Sequence, residues 1–153
     1  MFYMQKLHFS TSINAPAKKV WQTMLDDATY RKWTTVFSPG SYFEGSWEKG
    51  SRIKFIGPDQ QGNLGGITSM IAENRPYEFV SIKHLGVIEN GVEDTSSEKV
   101  AGWAGAMENY TFKEANGVTE VQIDIDVDDP FVDEFKQMWP KALESLKKLA
   151  ESS

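Results

Sequence analysis

One carboxylate falls where an apolar side chain is expected. Asn116-Gly117 lies between two alternating runs and is a strong signal for a two-residue hairpin loop. A turn there places Ala115 opposite Val118. Pairing outward then gives Lys113–Glu120, Phe112–Val121, Thr111–Gln122, Tyr110–Ile123, Asn109–Asp124, Glu108–Ile125, Met107–Asp126 and Ala106–Val127. Side chains alternate between faces, so Ala106, Tyr110, Phe112, Val121, Ile123, Ile125 and Val127 share one face, and the other is polar. A slip of one residue would bury the polar set, which fixes the register. Glu108 is the exception, a carboxylate on the apolar face. Burial disfavours its charged form unless a donor or cation compensates. It could be a polar anchor in a ligand pocket, a general acid or base, or a purely structural group that sits near a sheet end or pairs with a nearby cation.

His84 is one of two histidines. It shares strand phase with Glu78, Val80 and Ile82, so it is expected to face the same interior. It reads either as the partner of Glu108, in an acid–base couple or a ligand anchor, or as a satisfied histidine near a strand end. His8 falls in phase with Lys6 and Ser10 and reads as surface. Large rings recur at Trp33, Trp47, Phe55, Trp103, Tyr110, Phe135 and Trp139. Individually they read as core; together they could line an apolar pocket holding a few polar groups. The residues expected at such a pocket are Trp33, Phe55, His84, Trp103, Glu108, Tyr110, Phe135 and Trp139.

Other chemistries find no support. Two distant histidines and no cysteine give no metal-ligand spacing and exclude disulfides and thiolate chemistry. No GxSxG elbow is present. The GNLGG run at 62–66 precedes a strand rather than a helix, so it is not a phosphate loop. No catalytic residue and no cofactor is assigned.

The elements that must position these groups follow from periodicity. Residues 2–12 read as a strand, with Tyr3, Gln5, Leu7 and Phe9 in one phase. Asn14-Ala15-Pro16 opens a helix with Ala17, Val20, Trp21, Met24 and Leu25 on its apolar face, and 29–33 reads as a further helical turn. Strands are expected over 41–46, 51–56, 64–73, 77–85, 103–113 and 118–127. Gly102 and Gly105 read as a bend or bulge in a curved sheet. The polar segment 86–99, with its Asn90-Gly91 step, is a hairpin connection or a mobile loop. At the end, 129–151 places Phe131, Phe135, Met138, Trp139, Leu143 and Leu146 on one side of a long amphipathic helix. Asp129 is expected to cap it, with Pro130 in the first turn. Pro140 lies mid-helix, where it removes the bond to the Lys136 carbonyl and should bend the axis.

The chain has 153 residues, enough for one domain with a proper core, and the reading is a single domain over 1–153. Its net charge of −6 and lack of a basic stripe argue against nucleic-acid binding. No apolar run reaches transmembrane length, and the N-terminus lacks a signal-peptide pattern. A soluble, cytoplasmic protein with no membrane insertion is expected. The predicted architecture is α+β: a curved antiparallel sheet of six or seven strands, two short helices after the first strand, and a long C-terminal helix across the concave side.

That order resembles the START-like, or SRPBCC, helix-grip superfamily, the fold of the major birch pollen allergen. Within it, the chain resembles bacterial homologues of the C-terminal domain of the heat-shock-chaperone ATPase activator. The matching pieces are INAPAKKVWQTMLDD at 13–27, WEKG and K-F at 47–55, IAENRPYEFVSIKHLG at 71–86, W-x4-ENYTFKEANGVTEV at 103–121 and FKQMWPKALESLKKLAE at 135–151. The resemblance implies a deep cavity between sheet and long helix, which in the superfamily holds lipids, sterols, polyketides or other apolar molecules. Fold alone does not give function. The first expectation is binding of a small hydrophobic or amphipathic ligand. The alternatives are a cyclase- or dehydratase-like enzyme using Glu108 and His84, and an interaction domain whose partner is a chaperone ATPase.

Overall fold

The computed structural model describes residues 4–152. The elements run β1 (Met4–Ile13), α1 (Ala17–Leu25), α2 (Asp27–Trp33), a 3-10 turn (Thr34–Val36), β2 (Tyr42–Gly45), β3 (Arg52–Pro58), β4 (Leu64–Arg75), β5 (Phe79–Glu89), β6 (Val92–Asp94), α3 (Glu98–Ala101), β7 (Met107–Ala115), β8 (Val118–Asp128), a 3-10 turn (Asp129–Phe131) and α4 (Val132–Glu151). Phe2 and Tyr3, expected in the first strand, lie outside the described residues.

The strands form one antiparallel sheet in the order β1-β8-β7-β5-β4-β3-β2, with β6 added to the far end of β5. This is the α+β helix-grip arrangement. The eighth strand comes from the segment 86–99. Asn90 and Gly91 both take positive φ, 51° and 79°, which closes a tight hairpin and folds Val92–Asp94 back on Val87–Glu89. Asn116 and Gly117 do the same at 54° and 79°. The β7–β8 register is the one read from that turn, from Ala115–Val118 to Glu108–Ile125.

The inward face of the sheet buries Ile53, Ile71, Val80, Ile82, Val121 and Ile123, each fully. α4 closes it, packing on β1, α1 and α2 through Trp139, Ala142, Leu143, Leu146 and Ala150. Pro140 faces solvent while Trp139 beside it is buried, so the residue lacking an amide lies on the outer side of a helix that continues past it.

Two local expectations are corrected. The first turn of the C-terminal helix is 3-10, as is common at helix ends, and its cap is Asp128, whose carboxylate accepts from the Asp129 amide at 2.9 Å. Trp103 does not begin a strand. Its amide and that of Ala104 donate to the Val100 carbonyl at 2.9 and 2.7 Å, and the Ala106 amide donates to Trp103. These local bonds and the positive φ of Gly105 make a helical turn followed by a loop. The ladder therefore starts at Met107. Met107 and Ala106 fall outside the paired register with Asp126 and Val127, and the Met107 amide instead donates to the Asp126 carboxylate at 2.9 Å.

Candidate functional site

Glu108 points inward from β7, as its phase requires, and His84 points inward from β5. Ile82 pairs with Glu108 in the ladder, which sets His84 one step further along the same face. His84 Nε2 lies 3.1 Å from Glu108 Oε1. The Tyr110 hydroxyl donates to Glu108 Oε2. His84 Nδ1 lies 2.8 Å from the Ser69 hydroxyl of β4. A carboxylate only accepts, so Nε2–H and the Tyr110 O–H both donate to Glu108, and Nδ1 is left to accept from Ser69. Burial, and secondly the Glu108 charge, push the Tyr110 phenol well above its usual range, so it stays a donor. Trp103 stacks on the His84 ring at 5.4 Å and 7° and fixes its plane.

The network is closed on one side and open on the other. Ser69 is fully buried, and the His84 side chain is 5% exposed, whereas that of Glu108 is 21% exposed. Its open side meets a cavity with two lobes that share Ile67, His84, Glu108, Phe131 and Phe135. One lobe, about 360 Å³, lies between Val87, Val100, Trp103 and Ile125. The other, about 450 Å³, is walled by Tyr30, Trp33, Phe55, Tyr110 and Trp139, with Phe37 and Met138 beside them. All eight residues singled out from the sequence therefore line this cavity. Trp47, the remaining ring, packs away from it against Phe43 and Phe55.

The first lobe depends on an irregularity. Thr68 pairs with Gly86 and Ser69 with His84, which leaves Leu85 as an extra residue in β5. The bulge reverses the alternation, so the inward series runs Val80, Ile82, His84 and then Val87 and Glu89, both of which line the lobe. The wall opposite is α3 and the turn after it, carrying Val100 and Trp103. This segment is tied down by Asp94, whose carboxylate accepts from the Ser96 amide at 3.3 Å, the Ser97 amide at 3.0 Å and the Ser97 hydroxyl. Those bonds, the Ser97 hydroxyl first, hold the Asp94 carboxyl below its usual range. Its tie is therefore complete above the ordinary carboxylate pKa and is lost as pH falls through the lowered value. Asp94→Ala is expected to speed amide hydrogen exchange across 95–104 by about fivefold or more while leaving α4 unchanged, measured residue by residue by NMR. Unchanged exchange across 95–104 would show that α3 is held by other contacts.

Ser69 and Tyr30 were not singled out from sequence as site residues. Ser69 had a readable signal, since it alternates with Ile67 and Ile71 in an inward phase and is polar there, the same anomaly that marked Glu108. Tyr30 sits on a seven-residue helix, α2, too short to give a clear face.

Residues 14–151 match the family model described as Activator of Hsp90 ATPase homolog 1-like protein. No curated protein sequence matches the chain at a significant level. Among solved structures, similar folds occur in a protein from Rhizobium leguminosarum (TM-score 0.70, 12% identity, 100% of this chain and 98% of that one) and in protein MLL2253 from Mesorhizobium loti (TM-score 0.72, 12% identity, 97% and 98%). The Aha1 dimer from Colwellia psychrerythraea is also similar, with a TM-score of 0.70, 19% identity and 96% of each chain covered.

Proposed function

We propose that this chain, which belongs to the Activator of Hsp90 ATPase homolog 1-like family, binds a small, largely apolar molecule between its sheet and α4. The Glu108–His84–Tyr110 network holds the ligand's polar group. The observation that carries this reading is the one-sided opening of that network. A buried carboxylate is costly unless its donors are supplied. Here His84 and Tyr110 supply them from behind, with Ser69 holding His84 in turn, and the remaining lone pairs of Glu108 face a cavity walled by aromatic rings. A site with mostly apolar walls and a few convergent polar groups is how small molecules are held and oriented.

The same geometry favours anchoring over turnover. Both His84 nitrogens are engaged within the network, and the Ser69 hydroxyl, fully buried, addresses Nδ1 rather than the cavity. An acid–base couple of Glu108 and His84 would need His84 free to exchange a proton with the ligand. The chaperone-directed reading draws on the family's description and makes no demand on the cavity.

Native mass spectrometry of the protein purified from its own host, followed by denaturing extraction, tests the proposal. A discrete small molecule released at one per chain is expected. Glu108→Gln keeps the shape but removes the charge, and should weaken retention of that molecule about tenfold or more. A protein that comes out empty, with a melting temperature unmoved by a panel of lipids and polyketide-like aromatics, would sink the reading. A chaperone partner retained equally by wild type and Glu108→Gln would then take its place.

A further inference from the structure

The Tyr30 hydroxyl has no use in the fold. Tyr30 is only 8% exposed, and its ring is fixed by edge contacts to Trp33 at 5.6 Å and Phe43 at 5.1 Å. Its backbone is fully engaged, the amide donating to the Asp26 carbonyl and its own carbonyl accepting from Thr34. Among the described residues, no hydrogen bond reaches its hydroxyl, whereas the other cavity phenol, Tyr110, is committed to Glu108. Among the described residues the sealed side-chain polar atoms without a partner are Trp47 Nε1 and Asn74 Oδ1, so the Tyr30 hydroxyl is not shut into the core but opens on the cavity its residue lines. Phenylalanine would make the same ring contacts. Tyr30 lines the same lobe as Glu108, and after burial the charge acting on its phenol is that of Glu108.

We infer that Tyr30 and Glu108 together select a ligand bearing a neutral hydroxyl on an apolar skeleton. This deepens the binding proposal above and rests on it. Glu108 has acceptor sites left and no donor to offer. Tyr30 has a donor and an acceptor, both free. A hydroxyl meets both residues, accepting from Tyr30 and donating to Glu108. A carboxylate would find one donor and be repelled by Glu108. The cavity rim adds Glu89, Asp126, Asp128 and Glu134, against Lys99, which is paired with Glu89 at 3.3 Å. An ammonium would be attracted, but beside Tyr30 its three donors would face chiefly Glu108 and the Tyr30 oxygen, since Glu89, Asp126 and Asp128 line the other lobe, and desolvating it there is a poor exchange in an apolar cavity.

Matched biphenyls test this: biphenyl, 4-phenylphenol, biphenyl-4-carboxylate and 4-phenylbenzylamine, titrated at pH 7.5 with tryptophan fluorescence and calorimetry as readouts. 4-Phenylphenol should bind about tenfold more tightly than biphenyl and than the carboxylate, and more tightly than the amine. Tyr30→Phe, which keeps the ring contacts, should weaken 4-phenylphenol about three- to tenfold and leave biphenyl unchanged. The inference is overturned if the carboxylate or the amine binds as well as the phenol, or if Tyr30→Phe leaves the phenol's affinity intact. Binding of none of the four at millimolar concentration overturns the binding proposal itself.

Discussion

Replacing Trp139 by alanine is expected to cost about 3–5 kcal/mol of folding stability. Trp139 is 3% exposed and sits where four other rings converge: Phe37 at 5.0 Å, Tyr110 at 6.0 Å, Trp33 at 6.1 Å and Phe9 at 6.3 Å. Those neighbours come from the residue after the 3-10 turn that follows α2, from β7, from α2 and from β1, so one side chain ties α4 to both the sheet and α2. Truncation leaves a void that its neighbours cannot readily collapse to fill, since Trp33 and Phe37 are held by further ring contacts and Tyr110 by its bond to Glu108. A domain of this size has about 5–15 kcal/mol in total. The variant should therefore melt roughly 10–20 °C lower and unfold at a lower urea midpoint with an unchanged slope. Phe135, one turn earlier, is half-buried and lines both lobes. Its alanine variant should be much milder in stability, because its outer side already meets open space. A loss below about 1 kcal/mol for Trp139→Ala would mean that α4 is held by its later turns, Leu143 to Ala150, alone.

How much of this was legible in the sequence depends on the range of the interaction that decides each feature. The β7–β8 register and the inward carboxylate followed from Asn116-Gly117, because a two-residue turn dictates the pairing of the residues beside it. The phase of His84 followed from unbroken alternation between residues 80 and 84. Beyond His84 the alternation fails, since Leu85 is accommodated as a bulge against β4, and nothing within β5 alone requires it. The turn carrying Trp103 reads as strand only by extending outward the pairing that reaches Ala106 and Val127, since its Gly- and Ala-rich composition does not favour one. Carbonyl acceptors at Val100 and Trp103 won the amides instead. The contact between Ser69 and His84 spans two strands whose register contains that bulge, so only the folded sheet could reveal it. The open hydroxyl of Tyr30 is likewise a property of its surroundings rather than of α2.

Gly66→Ala is expected to be nearly as damaging as the loss of Trp139, for a backbone reason. Gly66 lies in β4, paired with Ile56 on one side and Ile88 on the other, at φ +148°. L-residues avoid that region, at about 1–3 kcal/mol. Strain is the smaller part. A β-carbon there would lie 1.9 Å from the Phe55 carbonyl oxygen, 3.0 Å from the Phe55 carbonyl carbon and 3.1 Å from Ile56 Cα. All three are backbone atoms of β3, so no rotamer change relieves the clash and the two strands must part. β3 carries Phe55 and β4 carries Ile67 and Ser69, so parting them opens the wall of the larger lobe and loosens the serine behind His84. The expected result is a stability loss above about 3 kcal/mol together with lost ligand retention. Gly62→Ala separates clash from strain. Gly62 also has positive φ, +83°, but a β-carbon there meets nothing within 4 Å. Its cost should stay near 1–2 kcal/mol, the ordinary penalty for a left-handed L-residue, with the ligand retained. Equal effects at the two glycines in urea titrations would mean that β3 and β4 do not approach closely at Gly66, and the bare backbone lining that side of the cavity would then need another cause.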